Sequence, residues 1–344
     1  MEDIELYNFA SDVLLAITKD LNKGLYSKYE IDLQLVFSTE DKISAHAKIL
    51  DNGTHCIVIS YELIKALYND ALGFCNFIRE NSSNINFLNF FDGLLEFPLL
   101  PTSFTFEDNI NNMFLNSLTW IYFHELGHLV QKHGVIRGNV LDIQEYNVND
   151  DSSEVKNEVA SLYHVTEIAA DFYGVNIVIR ELFRHWYGRT NLFLDSNYIF
   201  VCGITLCFYR FYGKRSLIFN SHPQGTHPHP IIRAELALPA ITEQIDMIMK
   251  SHLPPFMDRK MLVHFLNRAG LSASLYWYSR YEMDPSDLLS FVMKGVLNRE
   301  ETKTYMRTII STWDSISSII ETNSLDNNKF SLLQFSDQFR SLLK

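Results

Sequence analysis

Cysteine is scarce and scattered in this chain: Cys56, Cys75, Cys202 and Cys207 are all that 344 residues contain, with no CxxC pair and no disulfide-framework spacing. Such usage suits buried thiols in a reducing compartment. A basic stripe is missing too. With 29 Lys and Arg against 41 Asp and Glu, the formal net charge is -12, so the electrostatic footprint of a nucleic-acid binder is absent and polyanions are not expected partners. The opening "MEDIELYNFASDVLLAITKDL" has neither the basic region nor the apolar run of a secretory signal, and a cytoplasmic protein is the expected reading. No internal repeat or low-complexity tract is visible. Long apolar runs are rare: Tyr198 to Gly213 is nearly uniform until Arg210, short of the roughly 20 residues that span hydrocarbon. It reads as a buried core helix, and a membrane-associated segment is the alternative.

What is present is ample apolar material, 47% of the residues, enough for one large domain or two. Residues 4–21 have helical spacing. Three short β-branched stretches follow at 29–37, 42–50 and 55–60, with Asp51-Asn52-Gly53 as a turn between the last two, which predicts a small sheet containing a hairpin. Residues 61–81 return to helical spacing, and 85–104 form an apolar connection punctuated by proline. From Thr105 the pattern sharpens: Thr105 with Asp108 resembles a capping box, and apolar residues recur at helical spacing as far as a histidine cluster, with Gly134 as the expected helix end. A second long helix is predicted from about 154 to 187, opened by Asp151 and Glu154. Further helices are expected at 231–250, 258–296, 302–322 and 328–342.

The stretch "TWIYFHELGHLVQKHG" places His124, Glu125 and His128 inside that apolar helix. Unpartnered polar groups are costly to bury, so they need a common purpose. Positions i and i+4 share a helix face, so His124 and His128 can present two imidazole nitrogens to one ion while Glu125 sits about a third of a turn away. A catalytic zinc needs nitrogen ligands, an open position for water and a nearby carboxylate to take the water's proton. With twelve histidines in the chain, a chance HExxH is uncommon, and a mid-helix apolar context makes it rarer. His133 is expected to be an exposed polar residue ending the helix.

A third ligand must come from elsewhere. Glu158 and Glu167 lie on the second helix, two and a half turns apart and therefore on opposite faces. Glu167 is favoured, because Asp171 lies one turn further on the same face and can accept a hydrogen bond from a ligand histidine's second ring nitrogen. Ala169, Ala170 and Gly174 would let this helix approach the HExxH helix closely. The bland reading of Glu167 and Asp171 is a solvated acidic pair beside an apolar face. Beyond them, "SHPQGTHPHPIIRAELAL" crowds His222, His227 and His229 among prolines, which is either a rigid turn before a helix or a device holding side chains over a site.

Taken together, His124-Glu125-Leu126-Gly127-His128, Glu167 to Asp171, and Thr226-His227-Pro228 with Arg233 resemble the HtpX/CAAX-protease family of gluzincin metallopeptidases. The resemblance covers about residues 30 to 240. It implies a zincin-like fold, which with the small N-terminal β-sheet and the many helices read above makes an α+β, mostly helical chain: a metallopeptidase domain at 1–250 and an accessory helical region at 251–344 that has no counterpart in the resemblance. It also implies a zinc-dependent endopeptidase acting on a protein or peptide substrate. His124, His128 and Glu167 would hold Zn2+, Asp171 would support a ligand, and Glu125 would be the general base. His227 or His229, with Arg233, would stabilise the oxyanion, and the strand at 55–60 would offer an edge to an extended substrate. A non-catalytic scaffold, in which metal merely joins two helices, is the competing class.

Overall fold

In the computed structural model, described over residues 2–94, 97–138, 142–145, 157–213, 219–252, 256–284, 295, 298–326 and 331–344, one helix forms the axis of the molecule. This is α4 (Phe106–Val130), opened by the reciprocal Thr105–Asp108 capping box that the sequence announces. It is apolar nearly all round, so it has no solvent face to present and is surrounded by other elements. Helices α1 (Asp3–Lys23) and α2 (Tyr61–Asn81) flank it on the N-terminal side, and α2 starts where Ser60 accepts a hydrogen bond from the Leu63 N–H. Helices α6 (Asn157–His185) and α7 (Thr190–Tyr212) cover the remainder. Two short helices, α3 (Ile85–Leu88) and α5 (His133–Ile136), lie in the connections.

The sheet comprises β1 (Leu33–Ser38), β2 (Ala45–Ile49), β3 (His55–Ser60) and β4 (Asp142–Glu145), in the order β1-β3-β2-β4. β1 runs parallel to β3 with Leu33 opposite His55, while β2 pairs antiparallel to both β3 and β4. The expected turn at residues 51–53 is present, with Gly53 in the left-handed region at φ 82°. β3 is paired on both sides, so it cannot be the edge strand expected to receive a substrate. That expectation is corrected by the parallel partner β1, which residue alternation alone cannot reveal.

Beyond α7 come α8 (Pro230–His252), α9 (Arg259–Arg280), α10 (Glu300–Asn323) and α11 (Asp337–Leu342). α9 packs on α7 and α8, and α10 packs on α6. The single helix expected at 258–296 ends at Arg280, where Glu282 takes a left-handed conformation at φ 51°. The proposed helix opening at Asp151 and Glu154 lies outside the described residues. α7 is longer than the apolar run that announced it. At 23 residues it is long and apolar enough to cross a membrane by length and composition, and 89% of its most apolar window is buried within the fold. The four cysteines are free and buried, and burial pushes the Cys75 and Cys207 thiols up to about 12. One buried carboxylate ties three helices: Asp70 on α2 receives Arg210 of α7 at 2.5 Å and Arg280 of α9.

Candidate metal centre

The close approach of α4 and α6 creates the site. A methyl group on Gly174 would stand 3.2 Å from the backbone nitrogen of His124, and one on Gly127 would stand 3.3 Å from Cα of Ala170. Interlocked glycines therefore set the helix separation. Across that seam His124 Nε2 and His128 Nε2 lie 3.1 Å apart, Glu167 Oε2 is 3.3 Å from the former, and Glu167 Oε1 is 3.4 Å from the latter. All three residues are buried, at 1%, 0% and 1% exposed, and together they could hold a metal ion. Glu125, on the same turn as His124, is fully buried as well. Glu158 lies in the first turn of α6, and its side chain lies outside the described residues.

Around this group the expected residues divide. Asp171 Oδ1 stands 2.9 Å from His124 Nδ1, the ring nitrogen that faces away from His128 and Glu167. Arg233, at the head of α8, grips the same carboxylate with two bonds, Nε to Oδ2 at 2.8 Å and a terminal nitrogen to Oδ1 at 2.6 Å. Its guanidinium also lies over the Phe208 ring at 4.8 Å. Arg233 thus pairs with Asp171, one step behind His124. Of the two loop histidines offered for the oxyanion role, His227 reaches the cluster, with Nε2 4.0 Å from Glu167 Oε2 and Nδ1 2.8 Å from Thr226 Oγ1. His229 instead accepts the Ile231 N–H at the start of α8 and packs between Tyr212 and Phe219. His222 is exposed beside Ser221.

Three participants escaped the sequence reading. His133 is corrected from an exposed helix end to a side chain at 0% exposure, with Nδ1 2.9 Å from His128 Nδ1 and Nε2 3.0 Å from Gln131 Oε1. The cause is local: α4 stops at Val130, not at Gly134, and Lys132 adopts a left-handed conformation at φ 52° that swings His133 back under the last turn. A continuing helix would have carried it to another face, and no glycine marks the break. Arg137 is the second, with its side chain 3% exposed. It donates to Glu167 Oε1 at 2.5 Å and from Nε to Thr166 Oγ1 at 2.8 Å. His164 is the third, and its place one turn before Glu167 was a usable signal. It anchors the histidine loop through the Gln224 carbonyl at 3.2 Å and meets the Tyr305 hydroxyl at 2.8 Å.

Burial dominates the protonation of these rings. It pushes His128 and His133 well below the usual histidine range, with the Arg137 charge acting in the same direction and Glu167 opposing it. It lowers His164 to about 3. Neutral imidazoles are what a metal ion requires of its ligands. Comparison of the chain with protein-family profiles, with curated proteins and with solved structures finds no match in any of the three.

Proposed function

We propose that this protein is a zinc-dependent endopeptidase of the gluzincin type, with His124, His128 and Glu167 as metal ligands. The observation that carries the reading is the ligand triangle. Three ligand atoms held at about 2.0 to 2.1 Å from one ion at tetrahedral angles stand about 3.3 Å apart. Here the three separations are 3.1, 3.3 and 3.4 Å before any ion is considered. Two imidazoles and one carboxylate with a fourth position open make the donor set of catalytic rather than structural zinc. A zinc ion bound there would supply Lewis acidity and a water of lowered pKa.

The chain's own groups account for the rest. Glu125 lies beside the first ligand on the helix, without a place among the ligand atoms, and serves as the base that takes the water's proton and returns it to the leaving nitrogen. Asp171 holds His124 so that Nε2 carries the lone pair, and Arg233 holds Asp171. His227 is the residue best placed to face the developing charge, since its Nε2 lies 4.0 Å from Glu167 Oε2. Because the cluster is buried, a peptide carbonyl reaches it only when a covering segment moves aside.

The test is Glu125→Gln in the full chain, read by zinc content and by cleavage of an unfolded protein substrate. Zinc retained with a loss of cleavage of about 100-fold or more supports the enzyme, because general-base catalysis contributes about that much. Unchanged cleavage sinks it, and zinc bound by an unsubstituted protein that cleaves nothing favours the scaffold.

A further inference from the structure

The two ligand histidines are supported differently. His124 turns its Nδ1 to a carboxylate, whereas His128 turns its Nδ1 to another histidine, and that difference leads out of the site to the end of the chain. The main-chain carbonyl of Ser331 can only accept, so the side-chain amide of Gln131, 3.5 Å away, presents its NH2 end to it. Gln131 Oε1 is thereby fixed as an acceptor facing His133 Nε2 at 3.0 Å, and His133 must carry its proton there. A neutral ring with a proton on Nε2 has a lone pair on Nδ1, and His133 is fully buried, where charge is disfavoured. His128 Nδ1, 2.9 Å from that lone pair, then has to be the donor. The remaining nitrogen of His128, Nε2, is left with a lone pair directed at Glu167 Oε1 and His124 Nε2, where the ligand atoms converge. One carbonyl at residue 331 thus settles the tautomer of a ligand at residue 128.

A second contact joins the same two segments. The Leu325 N–H donates to the Val130 carbonyl at 2.9 Å, satisfying an acceptor that the end of α4 leaves open. The Leu325 carbonyl in turn accepts the Tyr29 hydroxyl. Leu325 and Ser331 therefore both meet the end of the HExxH helix, the first at its backbone and the second at the Gln131 side chain.

We propose that Gln131 and His133 are positioning residues that fix the tautomer and ring orientation of His128, and that the main chain of Leu325 and Ser331 belongs to the support of the metal centre. The proposal rests on the reading of His124, His128 and Glu167 as ligands, and it requires no proteolysis.

Two measurements on the full chain test it. Long-range proton–nitrogen NMR of the metal-free protein with labelled histidine, His128 being assigned from its loss in His128→Gln, reads the tautomer directly. A proton on Nδ1 is expected, and a proton on Nε2 overturns the relay whether or not the protein binds zinc. Zinc affinity by chelator competition is the second. His133→Phe keeps a ring and removes the acceptor, so affinity falls by about 10- to 100-fold, as loss of outer-sphere partners commonly produces. His133→Asn restores an acceptor oxygen near the place of Nδ1 and recovers most of that affinity. Equal affinity in His133→Phe, or equal loss in both variants, overturns the proposal, because a role in packing alone lowers stability without separating them. Gln131→Met, which removes the amide and leaves both rings, loses affinity in the same direction, so the result does not depend on His133→Phe folding. An unsubstituted protein that binds no zinc defeats the metal reading, and the tautomer still decides the relay.

Discussion

Arg233 and Asp171 meet face to face, with two nitrogens on two oxygens at 2.8 and 2.6 Å, in a place where Arg233 is 1% exposed. Neither charge could remain there alone. The pair joins α8 to α6, and its acidic member faces the ring of His124. Arg233 thus couples the head of α8 to the HExxH helix through a carboxylate.

The consequence is measurable. Arg233→Met leaves a buried, uncompensated carboxylate, which costs about 3 to 5 kcal/mol of folding stability by urea denaturation. Adding Asp171→Leu removes the stranded charge and recovers much of that stability. It does not recover zinc affinity, because His124 has then lost the group opposite its Nδ1. A double variant that regains both would mean that Asp171 serves the fold only.

Gly174 provides a second test, since it controls spacing, not charge. An added methyl meets the backbone nitrogen of His124 at 3.2 Å and Cδ1 of Trp120 at 3.1 Å, and a helix backbone cannot step aside as a flexible side chain can. In Gly174→Ala the usual helical benefit of about 0.5 to 1 kcal/mol is outweighed by overpacking of about 1 to 3 kcal/mol. Because α6 carries Glu167, zinc affinity falls together with stability. Unchanged affinity would show that the third ligand tolerates movement of its helix.

Much of this centre is legible in the sequence because it is written in helical period. His124 and His128 are four apart, Glu167 and Asp171 are four apart, and each pair shares a face for that reason alone. The bounds of α2 are legible in its helical spacing, and the opening of α4 in Thr105 and Asp108, whose side chains cap it locally. What was hidden depends on tertiary partners. The place of β3 inside the sheet follows from β1, and the turn at Lys132 uses a left-handed non-glycine residue that nothing nearby announces. α7 begins at Thr190 although Asn191, Asp195 and Asn197 make its first turns look polar. Asn197 is buried there by turning its amide back to the Phe193 carbonyl. Arg137 follows the helix end and reaches Glu167 across the seam, a contact without any sequence period.

Acid should destabilise the metal-free protein through histidines kept neutral by burial. His55, whose Nδ1 lies 2.9 Å from the Tyr26 hydroxyl, is lowered to about 4 by burial and then by Lys132, and His164 is lowered to about 3 by burial. Each has a folded pKa below its unfolded value, so below about pH 6.5 the unfolded chain binds protons that the folded one refuses. Their contribution is complete above about pH 6.5 and declines as pH falls toward 4, on the order of 1.4 kcal/mol per pH unit for each group. Urea midpoints of chelator-treated protein between pH 7.5 and 5 read the slope, and His55→Gln flattens it by one proton's share. An unaltered slope would show that His55 titrates normally in the fold.

Arg137 yields the sharpest distinction between the metal-free and metal-bound states. Its guanidinium is 2.5 Å from Glu167 Oε1, so a dication at the ligand triangle and this side chain would share one carboxylate. In Arg137→Met the metal-free protein keeps Glu167 buried without that partner, a loss of the kind that costs about 3 to 5 kcal/mol. The metal-bound protein loses less, because a dication can pair the carboxylate and no longer faces a like charge nearby. Whatever binds only the folded state raises stability in proportion to the logarithm of its relative concentration, so the rise in melting temperature on adding zinc should be larger in Arg137→Met than in the unsubstituted protein. A smaller rise would assign Arg137 the opposite task, that of aiming Glu167 at the ion, and its removal would then weaken the site as loss of Asp171 does.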